Sequence, residues 1–167
     1  MTEQKYLKIP FIWSKYKTFS GADFNLLYKN VEGDSKGANI TLFENEIDGD
    51  SKGANIAWVN LIKGDSKGTN IAGLVNKIDG DSKGANIAGV FNYSKGVKDF
   101  LFQYGTLANI IKEENKDAFV LQAGLYNELG DNYFPFIQIY GLKNVPKLIK
   151  NAFKKRNLED KLEGEQK

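Results

Sequence analysis

The sequence predicts an all-β repeat fold, a parallel β-solenoid of about eight coils of 15–16 residues with a C-terminal amphipathic capping helix. Three observations carry that expectation. First, the octapeptide Gly-Asp-Ser-Lys-Gly-Ala/Thr-Asn-Ile is written four times, starting at Gly33, Gly49, Gly64 and Gly80. Second, strand-forming residues follow each copy and run into the next Gly-Asp-Ser-Lys, which is turn chemistry. Third, Asn55-Ile-Ala-Trp-Val-Asn60 is one residue shorter than Asn70-Ile-Ala-Gly-Leu-Val-Asn76, yet Ile62 keeps its place in the repeat. A residue lost in mid-strand would move every later side chain to the opposite face. The unit therefore bends near its sixth residue, and one coil is two short strands, a bend and a turn. Two or more glycines per unit and the wrong apolar spacing exclude a helix. The alternative is one long strand per unit, eight of them forming an up-and-down barrel or meander, which would enclose a ligand cavity.

Residues 1–20 lie outside the repeat and are rich in aromatics (Tyr6, Phe11, Trp13, Tyr16, Phe19). They are expected to be an N-terminal capping segment, a strand and loop over the first open end. The repeat domain, 21–144, begins with Gly21-Ala-Asp-Phe24, sixteen residues before Gly37-Ala-Asn-Ile40. Its units keep an apolar residue at the fourth position (Phe24, Ile40, Ile56, Ile71, Ile87) and another at the eleventh (Val31, Ile47, Ile62, Ile78), where Ser94 is the exception. Leu27, Phe43, Val59, Leu74 and Val90 lie between them. After Gly96 the repeat decays but keeps its frame through Gln103-Tyr-Gly, Gln122-Ala-Gly-Leu-Tyr-Asn127 and Gln138-Ile-Tyr-Gly-Leu-Lys-Asn144, with a charged insertion from Lys112 to Lys116.

Residues 145–157 change character. Pro146 suits a first helical turn, Val145, Leu148, Ile149, Ala152 and Phe153 share one helical face, and Lys147, Lys150, Lys154 and Lys155 lie off it. A solenoid leaves an unpaired strand edge at each end, so this helix is expected as the C-terminal cap. Residues 158–167 form a charged, frayed tail.

Three large aliphatic side chains per coil would contribute about 1.5–3 kcal/mol each. Ordering the coil costs about 1–2 kcal/mol per residue. One coil cannot stand alone, so the stack depends on bonds between coils. In-register stacking sets Asn39, Asn55, Asn70 and Asn86 in an amide ladder. It also stacks Asp34, Asp50, Asp65 and Asp81 beside Lys36, Lys52, Lys67 and Lys83.

Composition narrows the chemistry. The chain has no Cys and no His, which removes thiolates, disulfides, and the commonest general base and metal ligand. Lys+Arg 23 against Asp+Glu 21 gives +2, too balanced for a nucleic-acid or membrane partner on charge alone. The N-terminus lacks the pattern of a signal peptide, and no run approaches the roughly 18–20 apolar residues of a membrane helix, so a cytoplasmic location is the default expectation. No catalytic or cofactor-binding residues are assigned. The calcium candidates are Asp34, Asp50, Asp65 and Asp81, because Asp48-Gly-Asp50 and Asp79-Gly-Asp81 resemble the opening of a calcium loop. The acid required at position 12 is replaced by Val59 and Val90. Gly33-Asp-Ser-Lys-Gly37 is one residue too short for a phosphate loop and runs into a strand. Ser35, Ser51, Ser66 and Ser82 lack a histidine base. Glu113 and Glu114 sit in the charged insertion, and Trp58, Tyr93, Tyr126 and Tyr133 are either packing residues or a row of exposed rings.

The motifs Asn55-Ile-Ala-Trp-Val-Asn60, Asn70-Ile-Ala-Gly-Leu-Val-Asn76 and Gln122-Ala-Gly-Leu-Tyr-Asn127 resemble those of bacterial surface-repeat proteins built from Gly-Leu-Gln-Ile-Gly-Leu-Val-Asn units. The likeness covers about residues 21–144, with Asn replacing Gln in most units. Such proteins are usually exported, so the resemblance implies a surface location, and it implies no catalytic residues. The reading is a non-enzymatic structural or protein-interaction module. Its alternative is a calcium- or small-molecule-binding repeat protein. The expected partner is another protein, or a second copy meeting the solenoid ends.

Overall fold

Identical residues of successive units lie side by side. Ser35 pairs with Ser51 and Ser51 with Ser66; the same holds for Gly37, Gly53 and Gly68, and for Asn39, Asn55 and Asn70. The computed structural model of the protein describes residues 5–146. It is a parallel β-solenoid of about seven turns. Its strands are β1 (Lys5–Tyr16), β2 (Phe19–Val31), β3 (Ser35–Thr41), β4 (Glu44–Ile47), β5 (Ser51–Ile62), β6 (Ser66–Ala88), β7 (Phe91–Gly105), β8 (Ala108–Ile111), β9 (Phe119–Leu129) and β10 (Asn132–Tyr140). The path runs from β1 to β10 without closing, so there is no barrel.

The short unit adjusts where a bend absorbs it: the β5–β6 register shifts between Ala57 and Val59. A second bend sits at the first glycine of each unit. Gly37, Gly53, Gly68 and Gly84 have φ between 116° and 140°, and a Cβ on any of them would fall 1.9–2.1 Å from the carbonyl oxygen of the glycine one coil earlier. Only glycine fits. In β7, where that glycine is missing, a register shift lets in extra residues and Asp99 takes the left-handed conformation at φ 57°.

The interior differs from the expected three aliphatics per coil. The eleventh-position residues Val31, Ile47, Ile62 and Ile78 are buried and pack with Phe19 in one cluster. The fourth-position Phe24, Ile56 and Ile71 are exposed, as are Leu27, Phe43 and Leu74. The reason is the two-residue period of a strand. Ser35, Asn39 and Thr41 share the inner face of β3, so Ile40 between them turns outward.

The chain's ends also depart from a uniform stack. β1 runs parallel to β2, with register shifts at Phe11, and so forms a first rung. The unit expected at Gln138–Asn144 is not an eighth parallel coil, because β10 runs antiparallel to β9. Gly130, at φ 57°, opens a two-residue turn that pairs Asn132 with Leu129. The Ser-Lys-Gly that starts the coils at Ser35, Ser51, Ser66 and Ser82 is here Asn132-Tyr133-Phe134. A 3-10 turn (Leu142–Asn144) follows, and buried Asn144 donates to the carbonyls of Lys116 and Ala118. Beyond Val145 and Pro146, the expected capping helix and the 158–167 tail lie outside the described residues. No helix among the described residues is long and apolar enough to cross a membrane.

Candidate functional site

The inner face is lined by amides. Asn39 Nδ2 donates to Asn55 Oδ1 at 2.7 Å, Asn55 to Asn70 at 2.7 Å, and Asn70 to Asn86 at 2.7 Å. Each also donates to the serine four residues earlier in its own coil, as Asn55 does to Ser51 at 2.8 Å. The repeated serines are thus buried acceptors, not exposed nucleophiles.

A second ladder stands beside the first and escaped the sequence reading. Asn45, Asn60, Asn76, Asn92, Asn109 and Asn127 pass hydrogen bonds along the rod at 2.8–3.3 Å. From Asn60 to Asn109 each also donates to a backbone carbonyl at the next coil's bend, those of Ile71, Ile87, Tyr104 and Ala123. Their spacing of 15–18 residues was the available signal.

Ser94 breaks the apolar eleventh column because the first ladder changes direction there. Asn86 Nδ2 reaches Ser94 Oγ at 3.3 Å from one side and Gln103 Nε2 at 3.1 Å from the other, and Gln122 donates to Gln103 at 3.0 Å. A hydroxyl accepts both series; an isoleucine would accept neither.

In the first coil both ladder positions are charged. Asp23 pairs in register with Asn39 and Lys29 with Asn45. Both are buried, with Lys29 Nζ 3.1 Å from Asp23 Oδ2 and donating also to Asn39 Oδ1. The ammonium lies 3.4 Å from the centroid of Phe19. Burial pulls the Lys29 pKa down to about 8 against the opposing pull of Asp23.

The calcium candidates form a column on the turns. Asp34, Asp50 and Asp65 each use Oδ1 to accept the backbone N–H of the next aspartate, at 2.9 Å. The column ties turn to turn. Lys98 pairs with Asp65 and lies 3.6 Å from Asp81, holding the Asp65 carboxyl below its usual range together with the Asp81 N–H. Among the described residues no three acidic side chains converge as a metal cluster would require. Glu113 lies 3.5 Å from Lys95, and Glu114 hydrogen-bonds Tyr140.

The outer surface carries the apolar residues that the interior does not. Phe24 pairs with Ile40, Ile40 with Ile56, and Ile56 with Ile71; Ile87 pairs with Tyr104. Along the adjoining bend Leu42, Phe43, Trp58, Leu74, Leu107 and Leu125 are each 40–56% exposed. Of the singled-out rings, Trp58 is on this ridge, while Tyr126 and Tyr133 stack near the C-terminal end with centroids 6.1 Å apart. No protein-family model, curated protein or solved structure matches the chain.

Proposed function

We propose that this protein is a non-enzymatic structural module that holds an apolar face in fixed register for a protein partner. One observation carries the reading: the fourth-position and bend apolar side chains of the repeat are outside, aligned coil upon coil, around an interior of hydrogen-bonded amides and eleventh-position aliphatics. A contiguous apolar surface of this kind marks interaction sites in water-exposed proteins. The amide ladders make its support stiff, since each rung is fixed to the next by side chains as well as backbone.

The chemistry of the interior supports a non-enzymatic role. Lys29, Asp23 and the repeated serines are buried and engaged with neighbouring side chains. The balanced +2 charge and the pairing of Lys63 with Asp48, Lys83 with Asp99 and Lys98 with Asp65 favour a protein partner over nucleic acid.

A photo-crosslinking residue placed at Ile71, with a control at Lys63 away from the face, tests this in cells. The expected result is a discrete adduct from position 71 that disappears when Ile56 is changed to Lys, with the melting temperature preserved. Equal labelling from both positions, or adducts insensitive to Ile56→Lys, would overturn the reading.

A further inference from the structure

The C-terminal end of the rod is unfinished among the described residues. β10 is the last rung, and Phe134, Phe136, Ile137 and Ile139 on it are 53–68% exposed. Phe134 stands opposite Asn127 and Gln138 opposite Gln122, the positions that face the interior in earlier coils, with no coil above them. Between them lies a depression of about 380 Å³ bounded by Leu129, Phe134, Ile137, Ile139 and Tyr140. Gln138, 6% exposed, lines its floor, and its Oε1 has no hydrogen-bond partner among the described residues. An apolar depression with a buried acceptor short of a donor is the seat of something amphipathic.

We propose that residues 147–157 of this same chain occupy that depression, and that by doing so they keep β10 from pairing with a second copy. Three observations select this occupant. Pro146, the last described residue, stands two residues after Asn144, which is fixed to Lys116 and Ala118, and six residues after Tyr140, which lines the depression. At about 1.5 Å per helical residue, seven residues of helix would carry Phe153 roughly 10 Å beyond Pro146, a length that reaches the depression. Leu148, Ile149, Ala152 and Phe153 fall on one helical face, matching an apolar seat, while Asn151 and the lysines bring donors for Gln138 Oε1. Charge agrees as well. Lys147, Lys150, Lys154, Lys155 and Arg156 carry five positive charges, and at this end Glu114 hydrogen-bonds Tyr140 while Asp131 stands in the turn that opens β10. Without the cap, β10 is an exposed antiparallel edge, a template for a second chain.

Because the chain has no cysteine, a double variant, Ile137→Cys with Phe153→Cys, reads the contact in the full-length protein. Ile137 is exposed and residue 153 follows the last strand in the sequence, so neither change touches a buried residue of the described coils. Under mild oxidation the expected product is a disulfide within one chain, at monomer mass. Adding Leu148→Asp should abolish it and shift the unoxidised protein towards dimers in light scattering, with unchanged strand content. A disulfide formed only between chains would assign the seat to a second copy and overturn the proposal. So would failure to form the bond, or a monomer indifferent to Leu148→Asp.

Discussion

The Lys29 ammonium sits 3.1 Å from the Asp23 carboxylate with neither side chain reaching solvent. In the coils that follow, both places belong to asparagine, so the pair is a charged substitute for one rung of each amide ladder. It ends the first ladder chemically, because Asn39 Oδ1 would otherwise face the first coil without a donor.

Removing one partner strands a buried charge. Lys29→Asn or Asp23→Asn alone is expected to cost about 3–5 kcal/mol. The double variant Asp23→Asn/Lys29→Asn restores the repeat and removes both desolvation penalties, so it should recover to within about 1 kcal/mol of wild type or exceed it. Urea melts of the four proteins measure the coupling. Additive losses in the double variant would mean that the pair is not the unit described here.

Stability should also carry the pair's titration. The folded-state pKa of Lys29 is lowered to about 8 from an ordinary 10.5, so between these values the unfolded chain binds the extra proton. Stability linked to this group therefore rises as pH goes from 8 towards 10.5, and the penalty of burying the charge is fully present below 8. Tyr16 and Tyr28 are shifted upward from 10 by burial, so their opposing effect begins only above pH 10. Denaturant melts between pH 7.5 and 10 should show the rise in wild type, and the Asp23→Asn/Lys29→Asn protein should lack it. A flat wild-type profile would contradict the lowering of the Lys29 pKa by burial.

Ser94 offers a test in which the consensus residue is the wrong one. Ser94→Ile restores the apolar eleventh column, but it leaves Gln103 Nε2 without its acceptor and weakens the hold on Asn86. Each unsatisfied buried donor costs about 1–3 kcal/mol, and the added methyl groups strain a filled interior. Thermal melts should place Ser94→Ile below Ser94→Ala, and Ser94→Ala below wild type. Stabilisation by isoleucine would refute the reversal of ladder direction at this residue.

Much of this architecture is legible in the sequence, and the failures have physical causes. The coil, its turn and the bend near Trp58 follow from the period and the single-residue deletion, because a stack repeats whatever one unit does. The assignment of faces does not follow. Apolar residues at positions 4 and 11 look alike in a list, and only the amide pattern at positions 3 and 9 shows that position 4 points out. Confining the amide ladder to the asparagine of the octapeptide hid the second one, although Asn45, Asn60 and Asn76 recur as regularly as Ile47, Ile62 and Ile78. The reversal at Gly130 rests on a left-handed glycine opening a two-residue turn, and in the sequence Gly130-Asp131 reads like the start of another Gly-Asp-Ser-Lys corner.

The aspartate column should be indifferent to calcium. One oxygen of Asp34, Asp50 and Asp65 already accepts a backbone N–H, and Lys98 stands against Asp65 and Asp81. A calcium ion would need six to eight oxygens and would have to displace that lysine. Melting temperatures in millimolar calcium and in chelator should agree within about 1 °C. By mass action, a ligand bound to the folded state a hundredfold above its dissociation constant adds about 2.7 kcal/mol, and a rise of several degrees would restore a metal site on the turns.

Gly68→Ala is the sharpest probe of the coil itself. Its φ is 140°, a conformation L side chains rarely adopt, and the new Cβ would meet the Gly53 carbonyl oxygen at 2.0 Å. Neither atom can move alone, because Gly53 is held in the same way against Gly37, so the strain must spread to neighbouring coils. The adjacent change Thr69→Ala, which merely writes the residue found in the other copies, should stay within about 0.5 kcal/mol. Gly68→Ala should lose about 3 kcal/mol or more, enough to threaten folding of a marginally stable domain. Comparing the two in one denaturant series separates the corner from its neighbourhood. If both variants unfold at the wild-type midpoint, the glycine column does not set the spacing of the coils.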